Sequence, residues 1–217
     1  DPLYDISSVN KSLAAQVDII FNIAAAENIL AYYEKRKNIA SLYAQKFNIA
    51  YVFCSSGFGE SRRNCICSGE AFIYDKELLL AENERYKTEN SLIIADIELG
   101  ENKGCSSLEI KTEEEVQNIS PYPFEDQIFA CPNPGEKVYE VLLSQSQGIM
   151  NRLVNINCNK IVIGVSGGLD STLALLVCVL AFDRLAWDRK NIIGITMPGP
   201  GTSSRTLANS KKLLRSL

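Results

Sequence analysis

The 217-residue chain contains no histidine. That absence removes Ser-His-Asp and Cys-His catalysis, imidazole general bases and imidazole metal ligands from the chain. Its chemistry must rest on carboxylates, amines, thiols, phosphate-binding loops and metal ions. Long apolar runs are missing too: the longest, Leu173 to Phe182, has ten residues, about half a membrane span, so no membrane association is expected. No basic block occurs, and 22 Lys and Arg against 26 Asp and Glu leave a net charge of −4, which gives nucleic acid no electrostatic footprint. The opening Asp1-Pro2-Leu3-Tyr4-Asp5 is acidic and does not read as a secretory leader. The seven cysteines are odd in number and irregularly spaced, so reduced thiols in a cytoplasmic protein are expected rather than a disulfide framework. Cys65-x-Cys67 alternates along an expected strand. With no second thiol pair and no imidazole, two packed side chains are the better reading than a zinc site.

What is present is concentrated in Ser166-Gly167-Gly168-Leu169-Asp170-Ser171, between an apolar strand at 160–165 and an apolar helix from Thr172. A strand-to-helix turn with two glycines and two hydroxyls is suited to an anion. Glycine lets the backbone approach a phosphate, and the first helical turn presents unpaired N–H groups at the positive end of the dipole. Asp170 would repel phosphate unless a cation intervened, which implies magnesium. The loop lacks the lysine of a Walker A loop and the third glycine of a dinucleotide fingerprint.

Along the chain, strands are expected at 17–23, 49–54, 63–67, 71–74 and 92–97, with a long helix from Ala24 to about Phe47. Pro121, Pro123, Pro132, Pro134 and Gly135 mark a linker. Helical periodicity returns over 138–154, followed by the strand at 160–165, the helix at 171–185, a strand at 192–197 and a helix from Arg205. Two parallel strands joined by a helix make one βαβ unit. A doubly wound sheet needs more strands, so the chain is expected to stop within that domain.

The pattern S-G-G-x-D-S resembles the pyrophosphate loop of the ATP pyrophosphatases. With Gly194-Ile-Thr-Met-Pro-Gly199, Arg205-Thr206, Pro121-Tyr-Pro-Phe124 and Tyr51-Val-Phe-Cys-Ser-Ser-Gly-Phe-Gly-Glu-Ser61, nearly the whole chain resembles the glutamine-dependent NAD synthetases. That resemblance implies an α/β chain: the C-terminal part of a nitrilase-like α-β-β-α sandwich, then the first βαβ unit of an adenine-nucleotide-hydrolase-like, Rossmann-like domain. The implied divisions are a glutaminase part over 1–119, a linker over 120–135 and a synthetase part over 136–217. The implied reaction is a carbon–nitrogen ligation. ATP and magnesium adenylate deamido-NAD, and ammonia from glutamine displaces AMP. ATP contacts are implied for Gly164, Val165, Ser166, Gly167, Gly168, Leu169, Asp170, Ser171 and Arg205, with Asp170 on the metal, and the full-length protein is expected to be a homo-oligomer.

The family's Glu-Lys-Cys glutaminase triad is absent here. Its cysteine, in a Cys-Glu-Asp segment, would fall just before Asp1. Ala24 and Ala26 stand where the family has serines, and Tyr32 stands near a basic position. Cys54 ends an apolar strand with no visible base beside it, so it reads as a packed thiol. The chain alone is expected to be inactive. Two other readings remain open: another S-G-G-x-D-S amidotransferase, such as a GMP or asparagine synthetase or a tRNA-thiolating enzyme, and a non-catalytic nucleotide-binding remnant. The fragment reading predicts that the gene encodes Cys-Glu immediately before Asp1. Sequencing upstream checks this, and a stop codon, an initiator methionine or an unrelated pair there would overturn it.

Overall fold

The computed structural model describes residues 17–60, 65–99 and 134–217. These fall into two compact units.

The first unit is a four-stranded sheet in the order β1-β2-β3-β4, with β1 at Ile19–Ala24, β2 at Ala50–Ser55, β3 at Ala71–Asp75 and β4 at Leu78–Glu82. Helix α1, Tyr32–Phe47, crosses between the parallel pair β1 and β2. Along β2, alternate residues face opposite sides. Tyr51 and Phe53 meet Phe72 and Tyr74 of antiparallel β3 and pack under Tyr33, Ala40, Tyr43 and Ala44 of α1. The two alanines are fully enclosed and let the helix approach the sheet closely. Phe53 and Phe72 stack with centroids 4.9 Å apart, a cross-strand pair of the kind that stabilises sheets. Arg36 lies on the same face of α1 and forms a buried ion pair with Glu70, each side chain 3% exposed. On the opposite face of the sheet, Phe21 is 67% and Ile23 86% exposed, whereas Ile73 is buried.

Three departures from expectation fall in this unit. The helix begins at Tyr32, not Ala24. Ala24 is still paired with Ser55, Ala26 N donates to Ser55 Oγ at 3.0 Å, and Ala31 has φ 66, so the sheet holds the chain extended past the alanines. The strand β4 was not anticipated. It follows β3 through the two-residue turn Lys76-Glu77, with Lys76 at φ 54, the short connection that favours a hairpin. Because β4 takes the free edge of β3, Leu92–Ile97 finds no ladder and runs as irregular chain, with Leu92 and Ile94 exposed. In the second unit, residues 65–67 are likewise not in a strand, and 61–64 lie outside the described residues.

The second unit contains α2, Pro134–Asn155, from Tyr139 onward, then β5 at Ile161–Gly164, α3 at Leu169–Arg184, β6 at Ile192–Ile195 and α4 at Ser204–Ser216. Strands β5 and β6 pair in parallel, Ile161 opposite Ile192 and Gly164 opposite Ile195. Val165, Leu175 and Val179 form the core, flanked by Ile163, Ile192, Leu213 and Leu214. Between α3 and β6, Asp188 caps a short 3₁₀ turn, and Arg189 grips Asp183 with two bonds of 2.7 and 2.6 Å. The guanidinium holds that carboxyl below its ordinary range.

Residues 56–60, 65–69 and 86–90 also belong to the second unit. Arg184, at the end of α3, ties one of these segments in place. It donates to the carbonyl oxygens of Tyr86 and Leu143, to Ser146 Oγ and to Gln147 Oε1. Burial pulls its pKa below the ordinary arginine value. Tyr86 adds a hydroxyl contact of 3.0 Å to Ser144, and Asn151 of α2 accepts from Gly59 N and donates to Glu60 O, both at 3.4 Å.

Candidate functional site

The loop at 165–168 connects β5 to α3 at the carboxyl end of the parallel pair. In open α/β sheets, ligands bind at that edge. Val165 is buried at 1% exposure, and its N–H donates to Ile195 O at 2.8 Å. That bond anchors the loop's first residue to β6. The chain then turns sharply at Gly167, φ 86, and reaches Gly168 in extended geometry as the residue before α3.

The loop's polar groups are organised by its two serines. Ser171 Oγ accepts from Ser166 N at 3.2 Å, lies 3.0 Å from Ser166 Oγ and donates to Gly168 O at 3.2 Å. Thr172 Oγ1 also donates to Gly168 O, at 2.8 Å. The two hydroxyls therefore stand together at the start of α3, where the helix offers unpaired N–H groups and its positive end. Asp170 is exposed in the first turn of α3, and Leu169 is 88% exposed. Among the described residues, no group of three or more acidic or thiol side chains could cage a metal. One carboxylate suits magnesium, which binds through one or two carboxylates plus phosphate and water oxygens.

The structure gives a different reason for Gly167 than close approach to phosphate. A Cβ there would lie 2.1 Å from the Thr206 carbonyl oxygen and 3.2 Å from Ser210 N. The loop is pressed against the first turns of α4. That helix is fixed by Ser203, whose Oγ accepts from Thr206 N at 3.2 Å, and by fully buried Ser210, whose Oγ lies 3.2 Å from Thr196 Oγ1. Gly168 is unencumbered, since a Cβ would meet only Ser166 Oγ at 3.5 Å.

Loop and helix together enclose an open cavity of about 700 Å³. Gly167, Gly168 and Thr172 form one side, and Arg205, Asn209 and Lys212 line the other. The structure thus brings Arg205 beside Gly167, Gly168 and Leu169, while Asp170, Ser166 and Ser171 are not part of this wall. Gly164 closes β5 and makes no close contact that excludes a side chain. Sequence reasoning missed Asn209 and Lys212. Their spacing from Arg205, four and seven residues on, was the available signal, because it puts all three on one helical face. Cys54 is exposed in β2 between Ile23 and Ala71, neither of which is a base.

The family resemblance is borne out by comparison with known proteins. Residues 141–217 match the family model described as NAD synthase. The glutamine-dependent NAD(+) synthetase of Mycobacterium leprae (strain TN) is 28% identical over 94% of this chain and 34% of its own length. The NH(3)-dependent NAD(+) synthetase of Methanocaldococcus jannaschii is 26% identical over 38% of this chain and 30% of its own. A structure of glutamine-dependent NAD+ synthetase from Acinetobacter baumannii in complex with adenosine diphosphate has the same fold. It superposes with a TM-score of 0.71 at 18% identity, over 98% of this chain and 35% of that one. The chain therefore spans about a third of the length of the glutamine-dependent relatives it matches.

The packing of Gly167 separates two stability outcomes. Gly167→Ala forces a left-handed backbone and a backbone collision, and should cost about 3 kcal/mol or more. Gly168→Ala, in open extended geometry, should cost less than about 1 kcal/mol. Urea unfolding of both variants checks this, and equal midpoints would contradict the docking of the loop on α4.

Proposed function

We propose that this chain carries the ATP-binding part of a glutamine-dependent NAD synthetase, a carbon–nitrogen ligase. The observation behind the proposal is the S-G-G-x-D-S loop at the carboxyl end of a parallel pair, opening on a cationic cavity. The match to NAD synthase over the same residues supports it. In this reading, ATP lays its phosphates on the loop. The unpaired N–H groups at the start of α3 and the hydroxyls of Ser166 and Ser171 receive them, and Arg205 approaches from α4. A carboxylate oxygen of deamido-NAD attacks the α-phosphorus and pyrophosphate leaves with the electron pair. Ammonia then attacks the acyl carbon of the adenylate. AMP departs, a proton is lost, and the amide of NAD remains. The loop's fixed donors are aimed at charge that develops on the leaving pyrophosphate, where preorganised dipoles contribute most. Asp170 would hold magnesium, which would supply further neutralisation of that charge. Asp170 contributes a carboxylate at a helix start, where negative charge is also favourable to the dipole.

The remaining assignments follow the same family logic. Residues 1–119 form the nitrilase-like glutaminase part of an α-β-β-α sandwich, 120–135 the linker and 136–217 the synthetase part. Phe21 and Ile23, exposed on the outer face of β1, are consistent with one sheet of such a sandwich. The protein works in the cytoplasm as a homo-oligomer. Among the described residues no helix is long and apolar enough to cross a membrane. Glutamine handling in the first part is the weaker function, because Ala24 and Ala26 pack against the α1 core and offer no hydroxyl.

The test uses the full gene product, with deamido-NAD, ATP and free ammonia, so that glutamine hydrolysis is bypassed. Asp170→Asn should slow pyrophosphate release a hundredfold or more, about 3 kcal/mol in the transition state. Near wild-type turnover at saturating magnesium would show that Asp170 holds no metal.

A further inference from the structure

The wall that α4 presents to the loop is more specific than the loop motif alone. Arg205, Asn209 and Lys212 face the cavity from successive turns, opposite Gly167, Gly168 and Thr172. The wall carries two cations and a neutral amide, and among the described residues no carboxylate lines it. Neither Arg205 nor Lys212 has an ion-pair partner among those residues. The three positions extend along about 10 Å of helix. That length suits an extended polyanion better than a single phosphate. The wall's position is set by backbone packing, since Gly167 rests on the Thr206 carbonyl, so the helix that carries these side chains is held beside the loop.

We infer that Lys212 and Asn209, together with Arg205, bind the pyrophosphoryl end of ATP and make α4 the second half of the pyrophosphate site. This rests on the ATP reading above and extends it to residues outside the loop motif. Lysine acts here as a mobile point charge for phosphate oxygens, and the asparagine amide supplies neutral donors. Neighbouring Lys211 is exposed on the same helix but does not line the cavity. It offers an internal control with the same change in charge.

Isothermal titration of the full gene product with inorganic pyrophosphate, and separately with magnesium-ATP, tests the inference at fixed ionic strength. Lys212→Ala should weaken pyrophosphate binding tenfold or more, Asn209→Ala several-fold, and Lys212→Arg should restore most of the loss. Lys211→Ala should bind as wild type does. All four side-chain changes are at exposed positions, and unchanged thermal midpoints verify folding. Equal losses from Lys211→Ala and Lys212→Ala would reduce the effect to net charge and overturn the inference. If Ser171→Ala loses magnesium-ATP binding while Lys212→Ala does not, the ATP reading stands and the role of α4 fails. Wild-type protein that binds neither ligand would overturn both.

Discussion

The contact between the Gly167 backbone and the first turns of α4 is the constraint on which the second unit's site depends. An α-carbon without a side chain there lets two backbone segments approach to a distance that a methyl group would forbid. Everything that makes the cavity follows from that approach. The loop takes its sharp turn at φ 86, the start of α3 faces α4, and Arg205, Asn209 and Lys212 come to line the same space as the loop backbone. The anchors on either side are short and polar: Val165 N on Ile195 O, and Ser210 beside Thr196. On the proposed reading, anion recognition is a property of two helices and a strand pair, and not of six consecutive residues.

A second constraint shapes the same unit. The Arg184 guanidinium is satisfied by four oxygen acceptors, none of them a carboxylate. A half-buried cation with neutral partners is costly to desolvate, and each bond must therefore be kept. Those bonds join the end of α3 to α2 and to residue 86, which comes from a distant part of the sequence. The helix that begins at the Ser166–Ser171 loop thus ends in a polar hub, with its two ends fixed by different means.

Much of this was legible in the sequence, for reasons that differ by element. The strand, loop and helix at 160–185 were readable because their signals are local: an apolar run, a glycine pair, then helical periodicity. The start of α1 was not readable. Ala24 to Ala31 has good helical composition, but pairing with β2 keeps Ala24 extended, a demand made by residues thirty positions away. Leu78-Leu79-Leu80-Ala81 carries little of the β-branched character that announces a strand, and became β4 through its tight turn from β3. The loop was legible as a strand-to-helix turn, yet Gly167 owes its identity to a helix about forty residues further on. Lys212 and Asn209 look like ordinary solvated helix positions until α4 is placed beside the loop.

On the proposed reading, this loop and helix α4 present ATP for adenylation of an acid. The most direct measurement is exchange of labelled pyrophosphate into ATP by the full gene product, with ammonia and glutamine withheld. Label should enter ATP only when deamido-NAD is present, because pyrophosphate then returns through the adenylate. Exchange that is indifferent to deamido-NAD, or no exchange in a protein that binds both substrates, would contradict it.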